Sequence, residues 1–185
     1  GWAGQRVLLH FGAVDWQTIV MVNGKHIGSH RGGYDPFSFD ITDALTASGA
    51  QELIVNVYDP TDDGEQPLGK QTLTPRDIWF TAVSGIWQTV WLEPVPETRI
   101  ASFRATPDID GAVLRVTVNG VNAKAGDTVV VSASRGGAAV GEASGAPGAE
   151  IVVPVPNPSL WTPDTPVLYD LKITLKRGET GDRHE

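Results

Sequence analysis

Thr18-Ile19-Val20-Met21-Val22-Asn23-Gly24-Lys25-His26-Ile27-Gly28-Ser29 decides the fold class. Thr18 to Val22 is an apolar, largely β-branched run that halts at Asn23-Gly24. Both central residues of a type I′ turn need positive φ, and Asn-Gly meets that need with little strain. Lys25 to Ser29 then reads as the returning strand of a hairpin. The same pattern extends outward on both sides. Arg6 to Phe11 is a strand upstream; Phe37 to Ile41 and Glu52 to Tyr58 are strands downstream. In the last of these, Leu53, Val55 and Val57 share one face, as a period of two requires. Thr42-Asp43-Ala44-Leu45 reads as one helical turn with Thr42 as its N-cap. Gln88 to Leu92 closes the first half.

Pro94-Val95-Pro96 is the expected domain boundary, because two prolines around one residue stiffen the chain and interrupt sheet pairing. Short apolar runs then resume at Ile100 to Ala105, Val113 to Val118, Thr128 to Ala133, Ile151 to Val155 and Leu168 to Leu175. Asn119-Gly120 gives a second I′ hairpin signal. Gly136 to Gly148, rich in Gly and Ala, reads as a mobile loop. No stretch carries sustained helical periodicity, so the expected class is all-β. The spacing of the second half fits an immunoglobulin-like sandwich.

Composition narrows the function classes. The 185 residues include no Cys, so disulfides and thiolate metal sites are excluded. Net charge is −8 and the basic residues are scattered, which argues against nucleic acid and membrane surfaces as partners. No run of about 18 apolar residues is present to span a bilayer. Mild acidity with six Trp suits a neutral polar partner such as a sugar, though solubility alone also accounts for the charge. His26 and His30 straddle a strand end and a Gly-rich turn, so their spacing does not make a metal pair; no metal and no cofactor is expected. Neither a nucleophile elbow nor a Gly-rich phosphate loop is present.

The long segment from Asp59 to about Gly85 is the place to look for function, because loops beyond about 12–15 residues are uncommon in compact domains. Asp62-Asp63 and Asp108-x-Asp110 read first as turn formers. Core packing accounts for most tryptophans, and stacking on a sugar face is the competing use. Trp79 is the candidate for the second role because it sits in the long loop. Trp87 and Trp91 fall on one face of the closing strand, opposite Val90 and Leu92, so one of those faces looks away from the core.

Asn23-Gly24-x-x-x-Gly28-x-His30-x-Gly32-Gly33-Tyr34-x-Pro36-Phe37-x-Phe39-Asp40-Ile41-Thr42 resembles the sugar-binding domain of glycoside hydrolase family 2, as does Ser84-Gly85-Ile86-Trp87-Gln88-Thr89-Val90-Trp91-Leu92-Glu93. Asp59-Pro60-Thr61-Asp62 with Gly69-Lys70-Gln71 is similar to one bacterial subgroup. Leu160-Trp161-Thr162-Pro163-Asp164-Thr165-Pro166-x-Leu168-Tyr169 resembles the family's immunoglobulin-like domain. The resemblance implies two β-sandwich domains in series. Residues 1–95 would be a galactose-binding-like jelly roll lacking its first strands. Residues 96–185 would be an immunoglobulin-like sandwich lacking its last strand. It implies that the acid/base and nucleophile glutamates belong to a (β/α)₈ barrel outside this sequence, so no catalytic residue is assigned here. It also implies that Asp59, at the end of its strand, reaches substrate in that barrel, with an Asp-Pro turn as the competing reading. Trp79 would flank the same cleft.

The leading reading is therefore a non-catalytic accessory segment of a retaining β-glycoside hydrolase. Its partners would be a carbohydrate substrate and the catalytic barrel, with homo-oligomer formation left open. A free-standing carbohydrate-binding module and a sandwich-type adhesin are the alternatives. Gly1-Trp2-Ala3-Gly4-Gln5 has no Met and no signal-like stretch, so any targeting signal is expected before residue 1 and the compartment is not assigned.

Overall fold

The computed structural model describes Trp2, residues 4–178 and Asp182–His184. The chain divides into two compact units, Gly1–Val95 and Pro96–Glu185. Both are built almost wholly of strands.

In unit 1 the strands are β1 (Arg6–Phe11), β2 (Val14–Asp15), β3 (Gln17–Val22), β4 (Lys25–Arg31), β5 (Phe37–Asp40), β6 (Leu53–Tyr58), β7 (Gln71–Thr72), β8 (Phe80–Thr81), β9 (Gly85–Ile86) and β10 (Val90–Val95). Two three-stranded sheets, ordered β10-β1-β5 and β4-β3-β6, carry the fold. β1 and β3 alternate strictly, and their inward residues Val7, Leu9, Phe11, Val20 and Val22 meet in one core. Each such side chain contributes about 1.5–3 kcal/mol when fully buried. The hairpin at Asn23-Gly24 forms as expected, with φ of 49° and 75°. Its Asn23 amide further donates to the Ala44 carbonyl at 2.9 Å.

The helical turn after β5 is a 3₁₀ turn over Thr42–Ala44, and Thr42 is not its cap. Its hydroxyl instead accepts from the Val7 amide at 2.8 Å and donates to Asp40 at 2.6 Å. Arg6 bonds Asp40 and Asp43, tying the same turn to β1. Trp87 and Trp91 do not share a strand face, because Trp87 precedes β10. Trp91 stacks on His10 of β1 at 4.7 Å. Pro94 remains in register opposite Val7, tolerated because β10 is an edge strand.

Unit 2 contains β11 (Arg99–Asp108), β12 (Val113–Val121), β13 (Thr128–Arg135), β14 (Ala138–Gly145), β15 (Glu150–Pro154), β16 (Asp170–Arg177) and β17 (Asp182–His184). The sheets are β11-β12-β15 and β14-β13-β16-β17. Valines at 116, 118, 129, 131 and 153, with Ile151 and Leu175, fill the space between them. Asn119-Gly120 is not a turn: β12 runs through it, pairing Asn119 with Ser102 and Gly120 with Ile100. Gly136 to Gly148 is not a mobile loop either. Gly136 and Gly137, at φ 57° and 81°, make a hairpin turn, and β14 pairs with β13 along its length.

Candidate functional site

The segment between β6 and β9 is held by side chains more than by sheet. Asp59 directly follows β6, and both of its carboxylate oxygens are engaged. Oδ1 accepts from the Thr61 amide at 2.8 Å, and Oδ2 accepts from the Ser84 hydroxyl at 2.7 Å. The first bond is a local Asx turn. The second joins the two ends of the long segment. Asp62 accepts from the Leu73 amide and the Thr72 hydroxyl, both at 2.9 Å, and these bonds hold its pKa below the ordinary value. The buried Gln66 amide donates to the Asp63 carbonyl at 2.9 Å. β7 and β8 add a parallel two-stranded ladder.

On this framework, apolar side chains stand outward. Leu73, Ile78, Trp79, Phe80 and Val83 are all exposed. Trp79 borders a hollow with Asp62, Leu68, Gln71, Thr72, Thr74 and Arg76. Asp59 does not line that hollow, so the two residues singled out in the sequence share a loop without sharing a cavity.

A second cavity, of about 250 Å³, is bounded by Asp15, Tyr34, Gln71, Val83, Ser84, Gly85 and Trp87. β2 and β9 bring its two sides together, pairing Asp15 with Gly85. Burial raises the Asp15 pKa, the neighbouring Asp59 charge raises it further, and a hydrogen bond from Gln71 works against both. The Gln71 side-chain Oε1 accepts from the Val83 amide at 2.7 Å. The Trp87 indole donates to the Gly33 carbonyl at 2.7 Å, and its ring meets Tyr34 edge-on. Sequence reading missed Asp15. The available signal was one carboxylate set directly after the apolar Ala13-Val14 step.

His26 and His30 lie on β4 opposite Met21 and Thr18, with a register shift between. His30 stacks on Phe37 at 4.2 Å. Among the described residues, no group of three His, Cys, Asp or Glu is placed to hold a metal ion.

The sequence model described as the sugar binding domain of glycosyl hydrolases family 2 matches residues 1–96, and the model described as glycosyl hydrolases family 2 matches residues 98–185. The chain belongs to glycosyl hydrolase family 2. Relatives in family 2 include a β-galactosidase of Thermoanaerobacter pseudethanolicus, 27% identical over 93% of this chain and 24% of its own length. A putative β-glucuronidase of Formosa agariphila is 29% identical over 94% of this chain and 21% of its own. A β-galactosidase of Enterobacter cloacae is 33% identical over 83% of this chain and 16% of its own. Among solved structures, Lactobacillus rhamnosus β-glucuronidase superposes with a TM-score of 0.69 at 26% identity, covering 98% of this chain and 31% of that one. The fold is also that of Ruminococcus gnavus β-glucuronidase, with a TM-score of 0.74, 22% identity, and 99% and 32% coverage. The chain thus spans a quarter or less of these curated family 2 relatives.

Proposed function

We propose that this chain is a non-catalytic accessory segment of a retaining family 2 glycoside hydrolase. It braces a catalytic barrel and lends the 59–85 loop to the active-site cleft. One observation carries the reading: the loop is internally bonded, yet it turns Leu73, Ile78, Trp79, Phe80 and Val83 to solvent. An ordered loop that exposes contiguous apolar side chains is built to be covered. In this reading the cover is the barrel, and Trp79 flanks its cleft. Asp59 accepts a hydrogen bond from a substrate hydroxyl with the lone pairs left after Thr61 and Ser84 are served.

The test is Asp59→Asn in the intact parent enzyme. A lost charge-assisted bond lowers kcat/KM roughly ten- to a hundredfold. An unchanged kcat/KM would make Asp59 a turn residue and the loop a brace alone. The isolated chain should leave aryl β-galactosides, β-glucuronides and β-mannosides untouched, because it lacks the barrel's carboxylate pair. A free-standing carbohydrate-binding module is the second reading, and the Asp15–Trp87 cavity favours it.

A further inference from the structure

We propose that one end of the unit 2 sandwich is a binding site for a neutral, apolar small molecule about the size of a substituted naphthalene. The inference uses only residues of unit 2. It does not depend on the bracing role or on any contact that unit 1 makes.

The hollow follows from how the two sheets end. The turn from β11 to β12 closes with a bond from the Ala112 amide to the Ile109 carbonyl. In the facing sheet, the β13–β16 ladder stops at the Ser134–Asp170 pair. Residues 155–169 connect β15 to β16 without joining either sheet. The space left between these parts is about 530 Å³. Leu114 of β12, Ala133 of β13 and Leu171 of β16 bound it from the sheets, and Val155, Trp161 and Tyr169 bound it from the connection.

Hydrogen bonds hold the walls apart. The Tyr169 hydroxyl accepts from the Ser159 amide at 2.8 Å. Arg135 of β13 bonds the Ser159 hydroxyl and stands 5.9 Å from the centre of the Tyr169 ring. On the other side, the Val155 amide donates to the Ala112 carbonyl at 2.8 Å. Thr162 and Thr165 exchange backbone bonds at 3.0 and 3.1 Å beside Trp161. The connection is thus pinned to both sheets, so the hollow is formed before any ligand arrives. Binding to a preformed site loses little to ordering.

The polar groups beside the hollow are engaged with the protein itself. Asp108 accepts from the Gly111 amide at 2.8 Å through Oδ1 and from Arg115 at 2.9 Å through Oδ2. Ala133 is buried and sits opposite Leu171, so that pair faces inward. Asp170, one residue along, therefore projects from the outer face of its sheet. A ligand rich in hydroxyls would give up its water here without replacement bonds. An arene gives up nothing of the kind and gains contact with apolar side chains and the Trp161 and Tyr169 rings.

Size fixes the scale of the ligand. A volume of about 530 Å³ lies within the roughly 300–1,000 Å³ usual for small-molecule sites. At about 30 Å³ per water it is the space of on the order of seventeen waters, which suits two fused rings carrying a substituent.

The experiment is a two-dimensional ¹H–¹⁵N NMR titration of the 185-residue chain with 2-naphthol, and with methyl β-D-glucopyranoside as the polar comparison, at neutral pH. Naphthol should give saturable shifts of the Trp161 indole and of the Ala133 and Leu171 amides, with unit 1 unmoved. The glucoside should move none of these signals. Trp161→Ala should weaken naphthol binding about tenfold or more. Ala133→Leu, whose added carbons grow into the hollow, should abolish binding at a Tm no lower than that of the parent chain. Should Ala133→Leu melt lower, Trp161→Ala decides, because an exposed ring is removed without opening the core. The titration is repeated on the intact parent enzyme, where naphthol should still bind. Four results would overturn the proposal: no saturable shifts, shifts centred elsewhere, full affinity in Trp161→Ala, or binding lost in the intact parent because a neighbouring domain fills the hollow.

Discussion

Asp59 is anchored at both oxygens, so two substitutions separate its roles. Asn keeps an acceptor for the Thr61 amide and a polar contact for Ser84, and the chain should hold its melting temperature. Ala leaves both partners unserved and should cost about 1–3 kcal/mol, read as a lower Tm by circular dichroism. A Tm for Asp59→Ala equal to that of the parent would remove the anchoring role. Asp15 carries the opposite sign. Its folded-state pKa is raised, so ionised Asp15 costs stability, and the cost enters as pH rises through the raised value. Asp15→Asn should therefore melt higher than the parent at neutral pH, and the difference should vanish once pH falls below the ordinary aspartate range. A gain that persisted into acid would sink this account. The place of Asp59, just after a clear strand and at the start of a long segment, was legible in the sequence. Asp15 was not, because its surroundings come from the pairing of β2 with β9, across nearly the whole of unit 1.

At the level of the element, the strands that alternate apolar and polar residues were readable, and the hairpin at Asn23-Gly24 formed where its φ demands said it would. The errors arose where tertiary pairing overrode a local signal. Asn119-Gly120 has hairpin chemistry, yet β11 continues beside it, so β12 runs on and the turn waits. The Gly- and Ala-rich stretch after β13 looked mobile by composition. Its glycines answer to close approach: a methyl at Gly145 would lie 2.9 Å from Ile151 Cγ1, and one at Gly141 would collide with the Pro154 carbonyl. Backbone cannot yield as a side chain can. Gly141→Ala should thus cost about 1–3 kcal/mol or more, which lowers Tm by roughly 4–8 °C per kcal/mol in a domain of this size. The loss should fall on unit 2, with slow-exchanging amides of β1 and β3 unaffected. A Tm within error of the parent would show that β14 can lift off β15 freely.

Across the whole molecule, two valine-rich cores sit beneath a surface that is unusually apolar in one segment. The 73–83 ribbon and the half-exposed Trp91 and Leu92, on opposite faces of β10, should drive concentration-dependent association despite the net charge of −8. Sedimentation velocity should show a shift with concentration that sulfate strengthens and that Trp79→Ser with Phe80→Ser reduces. A concentration-independent monomer would contradict this. The placement of the indoles has a spectroscopic consequence. Trp2, Trp79, Trp87, Trp91 and Trp161 are exposed and Trp16 is half-buried, so no tryptophan belongs to either core. The native emission should already be red, and melting should move it little. Fluorescence would therefore be a poor reporter of unfolding and a sensitive one of docking: whatever covers the ribbon around Trp79 should announce itself as a blue shift.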